Sequence, residues 1–516
     1  MAANSPLFID DTDHLGSFKD FLFAKKKHRT LAWSLLLLIV LQFVVFKYFY
    51  PYASYIHGDS FVYLETAYKN LSINTYMIGY SMFLRLLSVF STSDWLTTFL
   101  QYVLLQASAL FLIMSVFYFY HPSRATRASF LVFTALNPLF LYMGNMISSD
   151  AYFLALSLTW FSLMLWIMHK PSTKIVVWHA IVLLITFTVR YNALIYLFIA
   201  GIAFWLSSMP RILKWLGLGA AAMLIGYFVV QTSAKYRKLT GIWQYSPFAG
   251  WQLANNALYA YRYVDRAQRM PVLRKFQALD NNIRKYFDST RDIKKNPTEA
   301  VMASTYYMWS SSMPLFNYRN SLFKKDSTAS EFKKWATVGP LYKEYGIYII
   351  KKYPFYFIQY YLWPNAIKYY APPVEFLESF NSGKDSVNTI AKTWFEYESR
   401  KVTTRTKDFR ITTLDFYPIF SGIVNVVMFF SLLFYFIIDG WNSKTRFRKG
   451  ILLGGTIWLL NAGFTIAASS AALRFQAFPI LVTAIFSGLL VDYLWKMANI
   501  TTKSKNKYST KVSLSV

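Results

Sequence analysis

Residues 31–50 read LAWSLLLLIVLQFVVFKYFY, an almost uninterrupted apolar run. A helix needs about 20 such residues to cross a bilayer. The basic stretch KKKHR at 25–29 precedes the run and no small-residue cleavage site follows it, which favours a retained anchor over a cleaved signal peptide. Further apolar stretches bring the expected number of spans to about ten, at 95–119, 128–143, 151–168, 175–189, 191–207, 212–230, 416–438, 451–468 and 475–495.

The composition also indicates a membrane protein. Of the 516 residues, 55% are hydrophobic, 20% aromatic and only 15% charged, whereas about a quarter of a soluble domain is charged. The absence of cysteine excludes disulfides, zinc–thiolate sites and a thiol nucleophile. The net charge of +29 lies on a hydrophobic multi-span chain, so we expect anionic lipids or lipid-linked phosphates as partners and no nucleic acid.

The basic residues of the short loops predict the orientation of the spans, because cytoplasmic loops are enriched in lysine and arginine. Basic residues occur on alternate connections, whereas 144–150 and 469–473 contain none. We therefore expect both terminal tails, 1–30 and 497–516, to be cytoplasmic, with a polar and disordered end from about Thr501. The basic connections contain Arg124 and Arg127, Lys170 and Lys174, Arg211 and Lys214, Lys444 to Lys449, and the tail from Lys496 to Lys511.

The predicted fold is an all-α polytopic membrane protein with two outer segments. An N-terminal transmembrane module at 31–232 contains the first outer loop, 51–94, in which 76–90 is too short to span comfortably and indicates an interfacial or re-entrant helix. Residues 233–414 form a large extracytoplasmic region, mostly helical, in which 344–370 is expected to lie on the membrane surface. The remaining spans occupy 415–496.

Few ionisable side chains can reach a site on the outer face. Of the six histidines only His57 maps there, no cluster has zinc-binding spacing, and there is no phosphate-binding glycine loop or HExxH, which argues against an ATPase or a zinc protease. Asp59 follows His57 and Gly58, with Glu65 beyond it. Asp59 is either a base that deprotonates an acceptor hydroxyl or a solvated turn or cap residue.

Asp150 stands at the outer start of an apolar helix and is either a second site carboxylate or, with Ser148 and Ser149, an N-cap. Arg190 and Arg474 stand at outer ends of spans. There an arginine either snorkels to the surface or binds an anion such as a lipid phosphate. Lys235, Arg237 and Lys238 could contribute to such a site, but a solvated basic stretch explains them better.

Together these segments resemble the GT-C superfamily of polyprenyl-phosphate-sugar glycosyltransferases, in the branch of protein mannosyltransferases and aminoarabinose transferases. The similarity covers most of 30–240 and 340–495. It rests on four short motifs in order, all on the same predicted face: HGDS at 57–60, NPL through SDA at 137–151, VRYN at 189–192 and RFQAFP at 474–479.

The resemblance implies an inverting transfer of a sugar from a polyprenyl-phosphate donor to a protein, lipid or glycan acceptor at the extracytoplasmic face of a bacterial inner (plasma) membrane. It makes Asp59 the candidate base, helped by Asp150, and Arg190 and Arg474 the candidate ligands of the donor phosphate. His57, Glu65, Lys235 and Arg237 are further candidates for the substrate site. No cofactor is implied with certainty. This branch often has two adjacent acidic residues in its first loop, whereas Ser60 follows Asp59 here, so a divalent metal has no support from the sequence.

Two other functions remain open from the sequence. A transporter or flippase of lipid-linked saccharides would use the basic outer residues as a path, although the duplicated hydropathy pattern common in transporters is not evident. An outer-face saccharide polymerase would use a lipid-linked oligosaccharide as its donor.

Overall fold

The structure, a computed structural model, describes residues 16–290, 295, 305–326, 328–406, 408–443, 445–468 and 471–512, the last of them from 500 onward by backbone alone. The described chain is helical and contains no β-strand, which confirms the all-α class. Its α-helices are α1 (Phe18–Phe23), α2 (Lys26–Phe49), α3 (Asp59–Tyr68), α4 (Gly79–Ser88), α5 (Asp94–Tyr120), α6 (Arg124–Ala135), α7 (Pro138–Gly144), α8 (Ser149–His169), α9 (Thr173–Val189), α10 (Ile195–Leu206), α11 (Arg211–Thr240), α12 (Pro247–Tyr261), α13 (Gln277–Ser289), α14 (Tyr306–Trp309), α15 (Pro314–Leu322), α16 (Glu331–Thr337), α17 (Gly339–Lys352), α18 (Pro354–Phe357), α19 (Trp363–Tyr370), α20 (Thr389–Phe395), α21 (Tyr417–Ile437), α22 (Thr445–Ala468) and α23 (Leu473–Val512).

Seven of the described helices are long and apolar enough to cross a membrane: α2, α5, α8, α11, α21, α22 and α23 as far as Asn499. The chain is therefore a multi-pass membrane protein. Three of these helices, α5, α8 and α23, are largely buried inside the bundle, whereas α2 and α11 are mostly exposed. An apolar helix with an exposed surface is stable when lipid surrounds it.

The other three predicted spans are shorter, so the expected number of ten is not confirmed. The predicted span 128–143 is divided into α6 and α7, because the Asn137 side chain caps α7 and Pro138 occupies its first turn. Helix α9 has 17 residues. The predicted span 191–207 begins as a 3₁₀ turn, Tyr191–Leu194, and only then continues as the 12 residues of α10.

The bundle has two chemically different ends. At the first, which we call the basic end, the Tyr120 hydroxyl lies 2.9 Å from His169 Nε2, and the Ser123 amide donates to the Asp492 carboxylate at 3.2 Å. Arg124 and Arg127 at the start of α6 and Lys170 directly after α8 lie here. At the opposite end, which we call the site end, the last turns of α2 and α9 meet the first turns of α8 and α23.

Helix α11 is longer than the span predicted at 212–230. Helix α11 passes through the predicted boundary at 232 and ends only at Gly241, whose φ of +76° is a left-handed conformation that favours glycine. Beyond it, α12 packs closely on α17, since a Cβ on Gly250 or Gly346 would collide with the facing backbone. This pair forms an aromatic core around Trp251 and Tyr342.

The later part of this region packs on the first outer loop instead. The Asn381 amide donates to Ser54 Oγ at 2.9 Å, and the Tyr55 and Tyr397 hydroxyls lie 2.8 Å apart. Residues 377–402 therefore share a core with α3 and α4. The expectation of a disordered end from Thr501 is wrong as far as Val512, because α23 continues without a break to that residue, as helix elongation allows once a long helix exists.

Candidate functional site

Asp59 is positioned by a glycine turn at the site end. Gly58 has φ +106°, a conformation that side-chain-bearing residues rarely adopt, and Asp59 is then the first residue of α3. Its Oδ1 accepts a hydrogen bond from the Tyr76 hydroxyl at 2.6 Å, and its Oδ2 accepts one from Arg474 Nη2 at 3.0 Å. The side chain keeps 25% of its surface exposed, so Asp59 is a paired carboxylate that a substrate can still reach.

Asp150 is held next to this turn by backbone pairing. The Ser54 amide donates to the Asn145 carbonyl and the Ile147 amide donates to the Ser54 carbonyl, both at 2.9 Å. These bonds hold the loop after α2 against the start of α8. Asp150 is the second residue of α8, and Ser148 caps the helix by accepting from the Asp150 amide at 3.3 Å. Because Ser148 is the cap, the Asp150 carboxylate is free to make other contacts.

The Asp150 side chain is fully buried, with 0% of its surface exposed. Ser148 Oγ donates to its Oδ2 at 2.5 Å and Arg474 Nη1 donates to the same oxygen at 3.2 Å. Its Oδ1 forms an ion pair with Arg190 Nη2. Both carboxylate oxygens are therefore occupied, and the contacts fix the directions of two guanidinium groups.

Each guanidinium lies against aromatic rings. Phe475 contacts both, at 5.1 Å from Arg190 Cζ and 4.4 Å from Arg474 Cζ. Phe376 lies 4.3 Å from Arg474 Cζ, and Phe153 lies 5.3 Å from Arg190 Cζ. Arg190 also donates from Nε to Ser149 Oγ at 3.0 Å. Such stacking favours a flat cation and holds it in one orientation.

The cluster of Asp59, Asp150, Arg190 and Arg474 has no net formal charge, since two carboxylates face two guanidiniums. A neutral set of this kind tolerates burial far better than an isolated ion. One donor is left over, because the buried Arg474 Nε has no hydrogen-bond partner among the described residues. An anion entering the cluster would therefore find an unused N–H group as well as two positive charges.

The phenol of Tyr76 serves the cluster as a donor. Burial, and after it the negative charge of Asp59, raises the pKa of Tyr76 well above its usual value, so the hydroxyl stays protonated at physiological pH. Burial likewise raises the pKa of Tyr63 to about 12. The Tyr63 hydroxyl lies 3.0 Å from Ser149 Oγ, which connects a second phenol to Arg190.

The four residues predicted as the centre of the site thus meet in one cluster, whereas the four peripheral candidates lie elsewhere. His57 contacts the 377–402 segment, where its amide donates to Ser382 Oγ at 3.4 Å, and burial lowers its pKa. Glu65 pairs with Lys69 at 2.5 Å in solvent. Lys235 and Arg237 lie in the last turns of α11, with no contact to the cluster in the described part of the chain.

Several residues of the cluster were not predicted from the sequence. Tyr76, Phe376 and Phe475 contribute a hydroxyl or a ring, and a tyrosine or phenylalanine carries no signal in a chain with so many of both. Phe475 is the exception, since it directly follows Arg474 and could have been noticed there. Among the described residues, no group of three or more His, Asp or Glu side chains could hold a metal ion.

Comparison of the chain with known protein families, with curated proteins and with solved structures found no match.

Proposed function

We propose that this protein is a membrane glycosyltransferase that moves a sugar from a polyprenyl-phosphate donor to an acceptor hydroxyl or amine at the site end of the bundle. The observation that carries the proposal is the bridge made by Arg474, which contacts the accessible Asp59 and the buried Asp150 at once. A base and an anion-binding group are thereby placed side by side, as the transfer of a sugar from a phosphate leaving group requires.

In this proposal the donor phosphate binds to Arg190 and Arg474. Guanidinium groups bind phosphate oxygens through paired N–H donors, and the unpartnered Arg474 Nε is available for such a bond. Positive charge at this position stabilises the leaving phosphate as the bond to the anomeric carbon breaks. Asp150 acts as a positioning residue, because its buried carboxylate holds both guanidiniums but has no exposed surface.

Asp59 is the proposed general base. In the unliganded protein its Oδ2 accepts a hydrogen bond from Arg474 Nη2, so this oxygen is occupied. A phosphate that draws Arg474 toward itself weakens this pair and leaves Asp59 free to take the proton of the attacking acceptor. Donor binding and activation of the base are then linked, and Tyr76 keeps the carboxylate in place through its bond to Oδ1.

The charge of the two ends supports an extracytoplasmic location of the site. Arg124 and Arg127 at the start of α6 and Lys170 directly after α8 lie at the basic end, and basic residues next to spans face the cytoplasm in most multi-pass proteins. The cluster lies at the opposite end, as does the α12–α17 core beyond α11. We therefore place the reaction at the outer face, with both terminal tails in the cytoplasm.

The proposal is tested in proteoliposomes that contain the purified protein and a polyprenyl phosphate mannose or glucose labelled in the sugar. An envelope extract supplies acceptors, and the released polyprenyl phosphate and the labelled product are measured. We expect release that depends on the protein and stops in the Asp59→Asn variant. Movement of the intact labelled lipid between leaflets without release would instead support a flippase and refute the proposal.

A further inference from the structure

Residues 354–370, which we call the surface segment, form one continuous helical rod. The rod consists of α18, a π-helical turn at Ile358–Leu362, and α19. One side of it packs against the rest of the protein, because every fourth residue from the end of α17 onward is buried. These residues are Tyr353, Phe357, Tyr361, Asn365 and Tyr369.

The π-helical turn keeps this buried stripe on one side. In an α-helix, with about 3.6 residues per turn, residues four apart are rotated by about 40° at each step. Over four steps Tyr369 would lie about 160° away from Tyr353. A π turn closes i→i+5 bonds and contains one more residue than an α turn, so it takes up part of this rotation. The opposite side of the rod therefore stays exposed along its whole length.

The exposed side of the surface segment is apolar and aromatic. Its large exposed side chains are Phe355, Ile358, Trp363, Ile367 and Tyr370, with exposed fractions from 46% for Tyr370 to 82% for Phe355. Gln359 is the one polar residue among the exposed residues of the segment. A continuous exposed apolar surface of this kind marks a site of contact with a membrane or another protein.

The preceding helix, α17, has a different surface. Its exposed residues are Lys343, Glu344 and Lys351, and no large apolar side chain of this helix is exposed. The membrane-surface location that the sequence predicts for 344–370 is therefore supported by the exposed residues of 354–370 alone.

The buried side attaches the surface segment to the site ends of two spans. Asn365 Nδ2 donates to the carbonyls of Thr465 and Ile466, both at 3.1 Å, in the last turn of α22. The Tyr370 carbonyl oxygen lies 3.8 Å from the position that a Cβ on Gly422 would take, in the second turn of α21. The segment thus lies at the level where the membrane-spanning parts of α21 and α22 end.

The charge of the segment favours lipid over protein as its partner. Between Glu344 and Glu375 the chain contains no acidic residue and three lysines, Lys351, Lys352 and Lys368. Lysine near a membrane surface attracts anionic headgroups, whereas lysine is depleted in protein–protein interfaces. Tryptophan and tyrosine, which the exposed side also presents, are enriched where a membrane meets water.

We infer that the exposed side of the surface segment is embedded in the lipid leaflet at the site end of the bundle. Ile419 and Ile423, on either side of Gly422 in α21, are also mostly exposed, so the apolar surface of a span continues onto the segment. A helix of this kind lies in the plane of the membrane with its apolar side about 5–10 Å deep in the boundary between headgroups and acyl chains. The inference does not depend on the proposed sugar transfer.

The surface segment leads directly to the charged cluster. Pro373, three residues after Tyr370, accepts a hydrogen bond from the Leu473 amide at 2.9 Å. Three residues span at most about 11 Å, and Leu473 is the neighbour of Arg474. The Phe376 ring then lies 4.3 Å from Arg474 Cζ. The cluster is therefore at the level of the headgroups, where the phosphate of a lipid in the same leaflet can reach it without leaving the membrane.

Spin labels on single cysteines test the inference, because the chain contains no cysteine of its own. Ile358→Cys and Ile367→Cys place a nitroxide on the exposed side of the full-length protein in vesicles of phosphatidylcholine and phosphatidylglycerol. Collisions with oxygen, which concentrates in hydrocarbon, and with a water-soluble nickel chelate give the depth of each label. Ile423→Cys on α21 is the lipid reference, and Glu344→Cys, whose side chain is exposed on α17, is the water reference.

We expect both labels on the segment to lie about 5–10 Å below the lipid phosphates, with collision rates closer to those at Ile423 than to those at Glu344. Nickel collisions as frequent as at Glu344 would show that the segment faces water and would overturn the inference. Few collisions with either reagent would show that a second copy of the chain or another protein covers this side, which would overturn it as well.

Glu378→Cys tests the level of the cluster separately. Glu378 is exposed and lies two residues after Phe376. Its label should lie at the lipid phosphates, with collision rates between those of the two references. Rates equal to those at Glu344 would overturn the placement of the cluster at the headgroups. Either result leaves the proposed reaction to be decided by the release of polyprenyl phosphate, so the two proposals fail independently.

Discussion

The carboxylates of Asp59 and Asp150 are bridged by a single guanidinium. Arg474 donates from Nη2 to Asp59 Oδ2 at 3.0 Å and from Nη1 to Asp150 Oδ2 at 3.2 Å. The two carboxylates differ in access, with 25% of the Asp59 side chain exposed and 0% of the Asp150 side chain. One carboxylate can therefore meet a substrate, while the other can only orient the arginines.

This difference predicts the effect of removing the base. Asp59→Asn should lower the rate of sugar transfer by about 10²- to 10⁴-fold, the usual contribution of a general base, because the amide cannot accept the acceptor's proton. Its amide oxygen can still accept from Arg474, so the variant should fold and bind polyprenyl phosphate. The measurement is the initial rate of product formation in proteoliposomes.

Glu65→Gln is the matched control for that experiment. Glu65 is on the same helix, α3, and forms a solvent-exposed pair with Lys69. Exposed pairs of this kind contribute little to stability. Its transfer rate should stay within a factor of two of wild type, and an equal loss in both variants would show that α3 had been disturbed as a whole.

Substitutions of Asp150 and of Arg474 should have coupled effects on the free energy of unfolding. Removing one partner of a buried ion pair costs about 3–5 kcal/mol, because the other charge is left unpaired. We expect Asp150→Asn and Arg474→Gln each to lower the free energy of unfolding by about this amount, and the double variant by clearly less than the sum. The comparison is made by denaturant unfolding in detergent. Additive effects would contradict the observed contact.

Arg190 should contribute directly to phosphate binding. Its side chain is 15% exposed, so an incoming phosphate can reach it, and loss of a charge-assisted hydrogen bond costs about 1.5–3 kcal/mol. Arg190→Ala should therefore weaken the binding of polyprenyl phosphate by more than about 10-fold, measured by titration. Arg237→Ala is the control, because Arg237 lies on α11 and makes no contact with the cluster among the described residues. This variant should bind the lipid as wild type does.

Tyr76 should act as a fixed hydrogen-bond donor at all working pH values. Burial and the charge of Asp59 raise its pKa well above the usual value, so the phenol does not lose its proton as pH rises toward about 10. Tyr76→Phe should lower transfer about 5- to 10-fold by releasing Asp59. The shape of the pH–rate profile between about pH 6 and 9 should be the same in both proteins. A descending alkaline limb present only in wild type would contradict this role.

The α12–α17 contact should be sensitive to one methyl group. A Cβ on Gly250 would collide with the backbone of Gly339, and overpacking of this kind costs about 1–3 kcal/mol. Gly250→Ala should therefore make the outer region more susceptible to limited proteolysis. Gly219→Ala on α11 is the control, since a Cβ there meets nothing within 4 Å and should leave the digestion pattern unchanged.

Much of the architecture could be predicted from hydropathy, because stretches such as α5 and α22 are long and apolar enough to be recognised as membrane spans. The division of 128–143 was visible in Asn137 and Pro138, a cap and a first-turn residue, but the surrounding apolar residues favoured a single span. The continuation of α11 to Thr240 could not be recognised, since the polar and basic residues at 231–240 are compatible with either helix or loop.

The candidate site was predictable in its charged members and not in its aromatic ones. Asp59, Asp150, Arg190 and Arg474 stand out because few ionisable residues stand at the expected outer ends of the spans. Whether Asp150 was a cap could be decided only when Ser148 was seen to occupy that position. Tyr76 and Phe376 depend on packing between segments distant in sequence, which no local pattern encodes. His57 and Glu65 are candidates because of their proximity in sequence to Asp59, but the His57 amide bonds to Ser382 and the Glu65 side chain pairs with Lys69, one turn further along.

The most direct test of the account is a structure of the full-length protein bound to polyprenyl monophosphate. We predict that the phosphate contacts Arg190 and Arg474, including Arg474 Nε, and that Asp59 loses its bond to Arg474 while keeping its bond to Tyr76. A phosphate bound elsewhere, with the Asp59–Arg474 pair still closed, would contradict the claim that this cluster is the donor site of a glycosyltransferase.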